Sequence, residues 1–219
     1  MQKVSLIWAT PDAEKLIAKM ARVSNPENQD NHETAPRLLR YLIKHRHWSP
    51  FEMASMCVEI NTERDIAAQL LRHRSFSFQE FSTRYAQTSP PAAPKWRTQD
   101  LKNRQASHDD LDPKIADQFD WQTSVLLRNV YLTYQDMLNA GIAKECARRI
   151  LPLCTPTTLY MVGSLRSWIH YIEVRTDEST QLEHREIALA CQRIFCSEFP
   201  VVAEALGWED PSSTSQAIE

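Results

Sequence analysis

The chain has 219 residues, 42% hydrophobic and 24% charged, and holds no run of the roughly eighteen apolar residues that a membrane-spanning helix needs. Its formal net charge is −3, from 25 basic and 28 acidic residues, so a whole-surface attraction to duplex nucleic acid or to an anionic membrane is not expected and any anion site must be local. Only three glycines are present, Gly141, Gly163 and Gly207, against about fifteen at an average usage of roughly 7%. Glycine-rich dinucleotide and Walker loops, which let backbone approach phosphate with no Cβ in the way, are thereby excluded, and a nucleotide would have to be bound by side chains. A single domain over residues 1–219 is expected, since a chain of this size buries roughly 70% of its unfolded surface without disulfides or metal. Cys57, Cys146, Cys154, Cys191 and Cys196 form no CxxC pair and are odd in number, which points to a reducing, cytoplasmic setting. At the start, Val4 to Trp8 is too short an apolar stretch for a signal peptide.

Val4 to Trp8 reads as a short strand, and Asp12 to Ser24 as a helix entered through Pro11. Asn25 to Pro36 is polar and loop-like. Arg37 to Lys44 carries Leu38, Leu39, Leu42 and Ile43 at helical spacing and ends in His45-Arg46-His47. Met53 to Ile60 reads as a strand. Thr62, three residues before Asp65, resembles a capping-box start for a helix reaching Arg72. Residues 88–112 hold three prolines within five positions and few aliphatics, the composition of a long, lid-like loop. Beyond it the chain reads as helical. Asp112-Pro113 opens a helix that runs to Ala140 with Gly141 as terminator. Further helices are expected at Ala143 to Leu151, at Thr157 to Val174, and from Glu178 to Phe199, the last with Ile187, Cys191, Ile194 and Phe195 on one stripe. The tail after Trp208 reads as frayed. Few strands followed by a helix-rich second half give an α+β class, with a small, mostly antiparallel central sheet flanked by helices.

The densest chemistry lies in RHRSFSFQEFSTR, Arg72 to Arg84, where three arginines, a histidine, a glutamate and four hydroxyl residues alternate with three phenylalanines. Guanidinium forks suit phosphate, and aromatic surface with amide and hydroxyl groups suits a planar heterocycle. Like-charge repulsion from Arg72 and Arg74 should hold His73 neutral. The plainer reading is that the arginines complement a helix C-terminus and the phenylalanines fill the core.

In this segment the sequence resembles the flavin-dependent thymidylate synthases. Their signature is Arg-His-Arg, seven residues, then Ser, and Arg72-His73-Arg74 is followed at that spacing by Ser82. ARVS (Ala21 to Ser24), KHRHWSPFE (Lys44 to Glu52), ARRILP (Ala147 to Pro152) and SLRSWIHYIEVR (Ser164 to Arg175) resemble further blocks of that family, so the likeness spans about residues 20 to 199. The resemblance implies methylation of dUMP to dTMP, with methylenetetrahydrofolate as one-carbon donor, NADPH-reduced FAD as hydride donor and no cysteine nucleophile. It implies a flavin site made from Ser49, Arg72, His73, Arg74, Glu80, Ser164, Arg166 and His170, with His47 facing flavin or folate. It implies a dUMP site made from Gln69, Arg72, Glu80, Ser82, Arg84, Arg148 and Arg175, with Arg149 adjacent to Arg148. Arg175 is the expected catalytic group, a fixed positive charge at the pyrimidine edge. Glu183 is its candidate partner, or else a solvated helix charge. Where the family often has asparagine, Ser164 and His170 stand here; Arg166 and His170, four apart, share a helix face. A homotetramer with no nucleic-acid or membrane partner is implied as well.

Two other readings compete. A metal site around His45 and His47 lacks a matching carboxylate motif, so no metal is expected. The rival of another class is a non-catalytic RNA- or nucleotide-binding module that uses the basic-aromatic segment for stacking, against which the net acidity counts.

Overall fold

The structure, a computed structural model of the chain, describes residues 2–208. In chain order its elements are β1 (Lys3–Ala9), α1 (Ala13–Ala21), α2 (Ala35–Lys44), β2 (Ser55–Glu63), α3 (Arg64–Leu70), β3 (Ser77–Glu80), a small hairpin of β4 (Thr98–Gln99) and β5 (Ser107–His108), α4 (Pro113–Asn139), α5 (Lys144–Ala147), β6 (Pro156–Ser164), α6 (Leu165–Arg175), α7 (Leu182–Glu198) and α8 (Pro200–Leu206). The main sheet has the order β1-β2-β6-β3 with every pairing antiparallel. Helices flank it, so the α+β class holds.

β2 and β6 are the central strands. On β6, buried Leu159 and Met161 alternate with exposed Tyr160, the period-two pattern of a strand with one face inward. The core beneath contains Trp168, Tyr171 and Ile172 of α6 and Ile187, Cys191 and Phe195 of α7, all fully buried. Each large apolar side chain buried in this way contributes roughly 1.5–3 kcal/mol.

The helix expected over Thr157 to Val174 is half wrong. Residues 156–164 are β6, and the helix begins only at Leu165, where the Ser164 hydroxyl accepts the Ser167 N–H at 3.3 Å. The stretch TTLYMVGS is apolar enough to merge with the helix after it, but its β-branched residues find strand partners in β2, about a hundred positions earlier in the chain. Nor does Thr62 form a capping box. It lies inside β2, 5% exposed, and α3 starts at Arg64 from an extended Glu63. The 88–112 loop contains the β4-β5 hairpin, α5 is a single turn followed by a 3-10 turn at Arg148–Ile150, and α7 starts at Leu182 rather than Glu178. β3 and α8 were not anticipated. The limits of α4 match expectation: Asp112 accepts the Lys114 N–H at 2.9 Å, and Gly141 follows the helix at φ 84°, a left-handed conformation that suits glycine. The tail after Trp208 lies outside the described residues.

Candidate functional site

The signature segment is docked on the sheet by one ring. Phe76 packs edge-on against Trp168 and Tyr171, with centroids 4.8 and 5.9 Å away, and lies against Gly163 of β6. A Cβ at Gly163 would stand 2.5 Å from Phe76 Cδ1, so this approach requires glycine. The plainer reading therefore holds for Phe76, which is buried, while Arg72, Arg74, Ser75 and Ser77 around it stay exposed.

α3 ends just before the triplet, and α6 delivers its last residue to the same place. Arg175 Nε donates to His73 Nε2 at 3.0 Å. His73 is neutral, as expected, but for another reason: burial pushes its pKa down to about 4, aided by the charges of Arg175 and His170 rather than by its neighbours in the triplet. Because Nε2 accepts, the ring proton sits on Nδ1. Arg72 and Arg74 have no side-chain hydrogen bond among the described residues, which leaves both guanidinium forks open.

Beneath this pair lies His184, which the sequence reasoning missed. It is 0% exposed, its ring faces His73 and Tyr171 at 6.1 and 5.9 Å, and its Nδ1 is 3.3 Å from Gln69 Oε1. Burial, with the charges of Arg175 and His73, lowers its pKa to about 3. The signal was present, since His184 stands three residues before Ile187 on the apolar stripe of α7, where a polar side chain needs a reason.

A second group lines a groove of about 420 Å³ that includes Trp48, Glu52, Ser75, Arg166, Ser167 and His170. Glu52 organises it, accepting from Ser164 Oγ at 2.5 Å and from Arg166 Nη1 at 3.0 Å. Ser49 opens the 3-10 turn Ser49–Met53 that carries Glu52 to this position. Arg166 and His170 both line the groove, and both are exposed. His45 and His47 instead pack on Tyr41, the first tilted and the second edge-on, with centroids 4.2 and 6.1 Å away, outside the lining of this groove. Among the described residues no three His, Cys, Asp or Glu side chains gather as a metal site.

The third group sits at the other end of β3. Glu80 accepts from Thr157 Oγ1 at 2.9 Å and faces Arg64 Nη1 at 3.6 Å. Arg148 donates to Thr83 at 3.4 Å, whereas its neighbour Arg149 is exposed and has no such bond. Arg84 pairs with Glu145 at 3.3 Å on the surface, and Ser82 is exposed. Glu80 is opposite Leu159 in the sheet, five residues from Ser164, a separation of roughly 17 Å along a strand at about 3.3 Å per residue. Within one chain the third group thus lies apart from the groove, while the first borders it, since Ser75 lines the groove and the charge of His170 acts on His73.

Glu183 corrects a further expectation. It is neither the partner of Arg175 nor a solvated charge: Arg97, from the 88–112 segment, grips both its oxygens at 2.6 and 3.0 Å, with the side chains 12% and 21% exposed. Burial raises the thiol pKa of Cys154, which disfavours its thiolate.

Residues 5–201 match the family described as thymidylate synthase complementing protein, Thy1. A chain from Paramecium bursaria Chlorella virus 1 named as a probable flavin-dependent thymidylate synthase is 56% identical, covering 90% of this chain and 91% of that one. The chain belongs to the flavin-dependent thymidylate synthase family. A flavin-dependent thymidylate synthase from Synechocystis is 52% identical over 89% of this chain and 90% of its own. Among solved structures, the UMP/dUMP methylase PolB from Streptomyces cacaoi, bound with 5-Br dUMP, is similar with a TM-score of 0.83 at 27% identity, covering 94% of this chain and 95% of its own. The triplet after α3 with the end of α6, the Ser49–Met53 turn with the first half of α6, and β3 with the Arg148–Ile150 turn supply the polar clusters described above.

Proposed function

We propose that this flavin-dependent thymidylate synthase methylates dUMP to dTMP, taking its one-carbon unit from methylenetetrahydrofolate and its hydride from FAD reduced by NADPH. The observation that carries the reading is the Arg175–His73 hydrogen bond, which ties the end of α6 to the arginine-rich triplet. The residues suit the flavin. Trp48 offers a flat apolar wall and Arg166 and His170 offer polar groups beside it; Ser164 and Ser49 adjoin through Glu52, Glu80 would join from another subunit, and the open forks of Arg72 and Arg74 match phosphate oxygens. When bound, the flavin supplies the hydride.

The chain's own groups hold the pyrimidine. Arg175 is anchored through Nε, which leaves its two terminal nitrogens to face the substrate. As C5 of uracil becomes nucleophilic, negative charge grows on the ring, and a guanidinium already in place stabilises it with no reorganisation. Neutral His73 accepts without competing for that charge. Gln69 and Arg72 join Arg175 on the nucleotide.

Glu80, Ser82, Arg84 and Arg148 belong to the dUMP site as well. The separation of Glu80 from Ser164 along the sheet supports a site assembled between subunits of a homotetramer. α4 supports self-association: it exposes Phe119, Trp121, Val125 and Leu126 at 43–70%, a larger apolar surface than a lone helix ordinarily leaves to water. We read segment 88–112 as a lid over the substrates. No described helix is long and apolar enough to cross a membrane, and the free thiols of Cys57, Cys146, Cys154 and Cys191 suit a cytoplasmic setting.

The decisive test is anaerobic incubation of the reduced protein with dUMP and methylenetetrahydrofolate. Formation of dTMP is expected; a colourless preparation that takes up no FAD and forms no dTMP would overturn the reading.

A further inference from the structure

A line of hydrogen bonds joins the 88–112 segment to Gln69, and its donors all point toward Glu183. Arg97 donates twice to Glu183; Gln181 Nε2 donates to Glu183 Oε2 at 3.0 Å; Gln69 Nε2 donates to Gln181 Oε1 at 2.7 Å; and Gln69 Oε1 meets His184 Nδ1 at 3.3 Å. A glutamine amide has nearly the same shape either way round, so its hydrogen bonds alone decide which end points where. Here each choice follows from the one before. A carboxylate can only accept, so Gln181 must turn its NH2 to Glu183 and its carbonyl to Gln69. Gln69 must then turn its NH2 to Gln181 and its carbonyl to His184. His184 in turn must carry its proton on Nδ1, and its other nitrogen, Nε2, is buried with no partner.

Both ends of the line are held. At one end, burial raises the pKa of Glu183, but the hydrogen bonds from Arg97, its own backbone N–H and Gln181, with the Arg97 charge, together outweigh it and the carboxyl lies below its usual range, so it stays an acceptor. At the other end, His184 is wholly buried against His73 and Tyr171. Gln69 between them is half-buried, with one N–H and one carbonyl lone pair not committed to the line.

We propose that Arg97 and Glu183 are positioning residues for nucleotide recognition: through Gln181 they fix which end of the Gln69 amide is donor and which acceptor, so that dUMP always meets the same arrangement. The proposal rests on the assignment of Gln69 to the dUMP site. It also gives the 88–112 segment a part in substrate recognition that contains no contact between Arg97 and the substrate.

The test compares three variants of the FAD-loaded enzyme. Glu183→Gln keeps the shape but offers a donor and an acceptor at once, so the direction of the line is lost. Gln181→Met cuts the line at an exposed position where folding is not at stake. Gln69→Ala removes the group being positioned. The expected result is a dUMP KM raised about tenfold in both Glu183→Gln and Gln181→Met, the factor set by one misdirected hydrogen bond, with kcat and the KM for methylenetetrahydrofolate within about twofold. A role in folding alone would instead lower the melting temperature and flavin content and move all the kinetic constants together. If Gln69→Ala raises the dUMP KM while Glu183→Gln and Gln181→Met do not, the positioning role is wrong and the dUMP site stands. If Gln69→Ala leaves the dUMP KM unchanged, the assignment of Gln69 fails and the proposal fails with it.

Discussion

Burying His184 as a neutral ring makes stability depend on pH in a window where carboxylates are almost silent. Its pKa falls from 6.5 to about 3 on folding. The folded value lies below the unfolded one, so the unfolded chain binds the extra proton. The stabilisation is complete above about pH 6.5 and is lost progressively as the pH falls toward about 3. Between about pH 7 and pH 5 the unfolded imidazole takes up nearly a full proton and the buried one almost none, which lowers the unfolding free energy by about 2 kcal/mol. His73, held down to about 4, acts in the same direction; it is half-exposed and coupled to His184, so its share is smaller and not additive. Urea unfolding followed by tryptophan fluorescence, at equal protein concentration and at the two pH values, measures the difference. His184→Leu removes the titrating ring and should abolish most of the slope whatever it does to stability at pH 7. Equal wild-type stability at both values, or a His184→Leu variant with the full slope, would show that this burial does not set the pH response.

Three further outcomes follow from the geometry. Arg175→Ala should keep its flavin spectrum and lose at least about a hundredfold in dTMP formation, the scale of one lost transition-state electrostatic donor; wild-type turnover would remove Arg175 from the chemistry. Gly163→Ala sets a methyl 2.5 Å from the Phe76 ring and should destabilise by roughly 1–3 kcal/mol, so an unchanged melting temperature would mean the signature segment is not held by this contact. Trp121→Glu, on exposed α4, should shift the sedimentation profile from the proposed tetramer toward smaller species, and a profile unchanged from wild type would place any subunit contact elsewhere.

The composition and the local pattern of this chain carried much of its reading. Scarce glycine ruled out backbone phosphate loops, the Asp112-Pro113 and Gly141 signals bounded α4, and the stripe of α7 fell where its apolar period put it, because each depends on residues within a few turns of one another. The likeness of Arg72 to Ser82 to a family signature was a local property too, and residues 5–201 match that family. Long-range pairing was not legible. β6 looked like the first half of a helix until β2 and β3 closed on either side of it, and β3 was hidden inside a segment read only for its chemistry. The same limit applied to charge. Sequence spacing makes Glu183 either a candidate partner of Arg175 or a solvated charge, yet its partner is Arg97, 86 positions away. His73 was read from its neighbours in the triplet, yet burial and Arg175 set its pKa. Desolvation and ion pairing depend on which surfaces meet, and a sequence states which groups a chain owns without stating which of them share a dielectric environment.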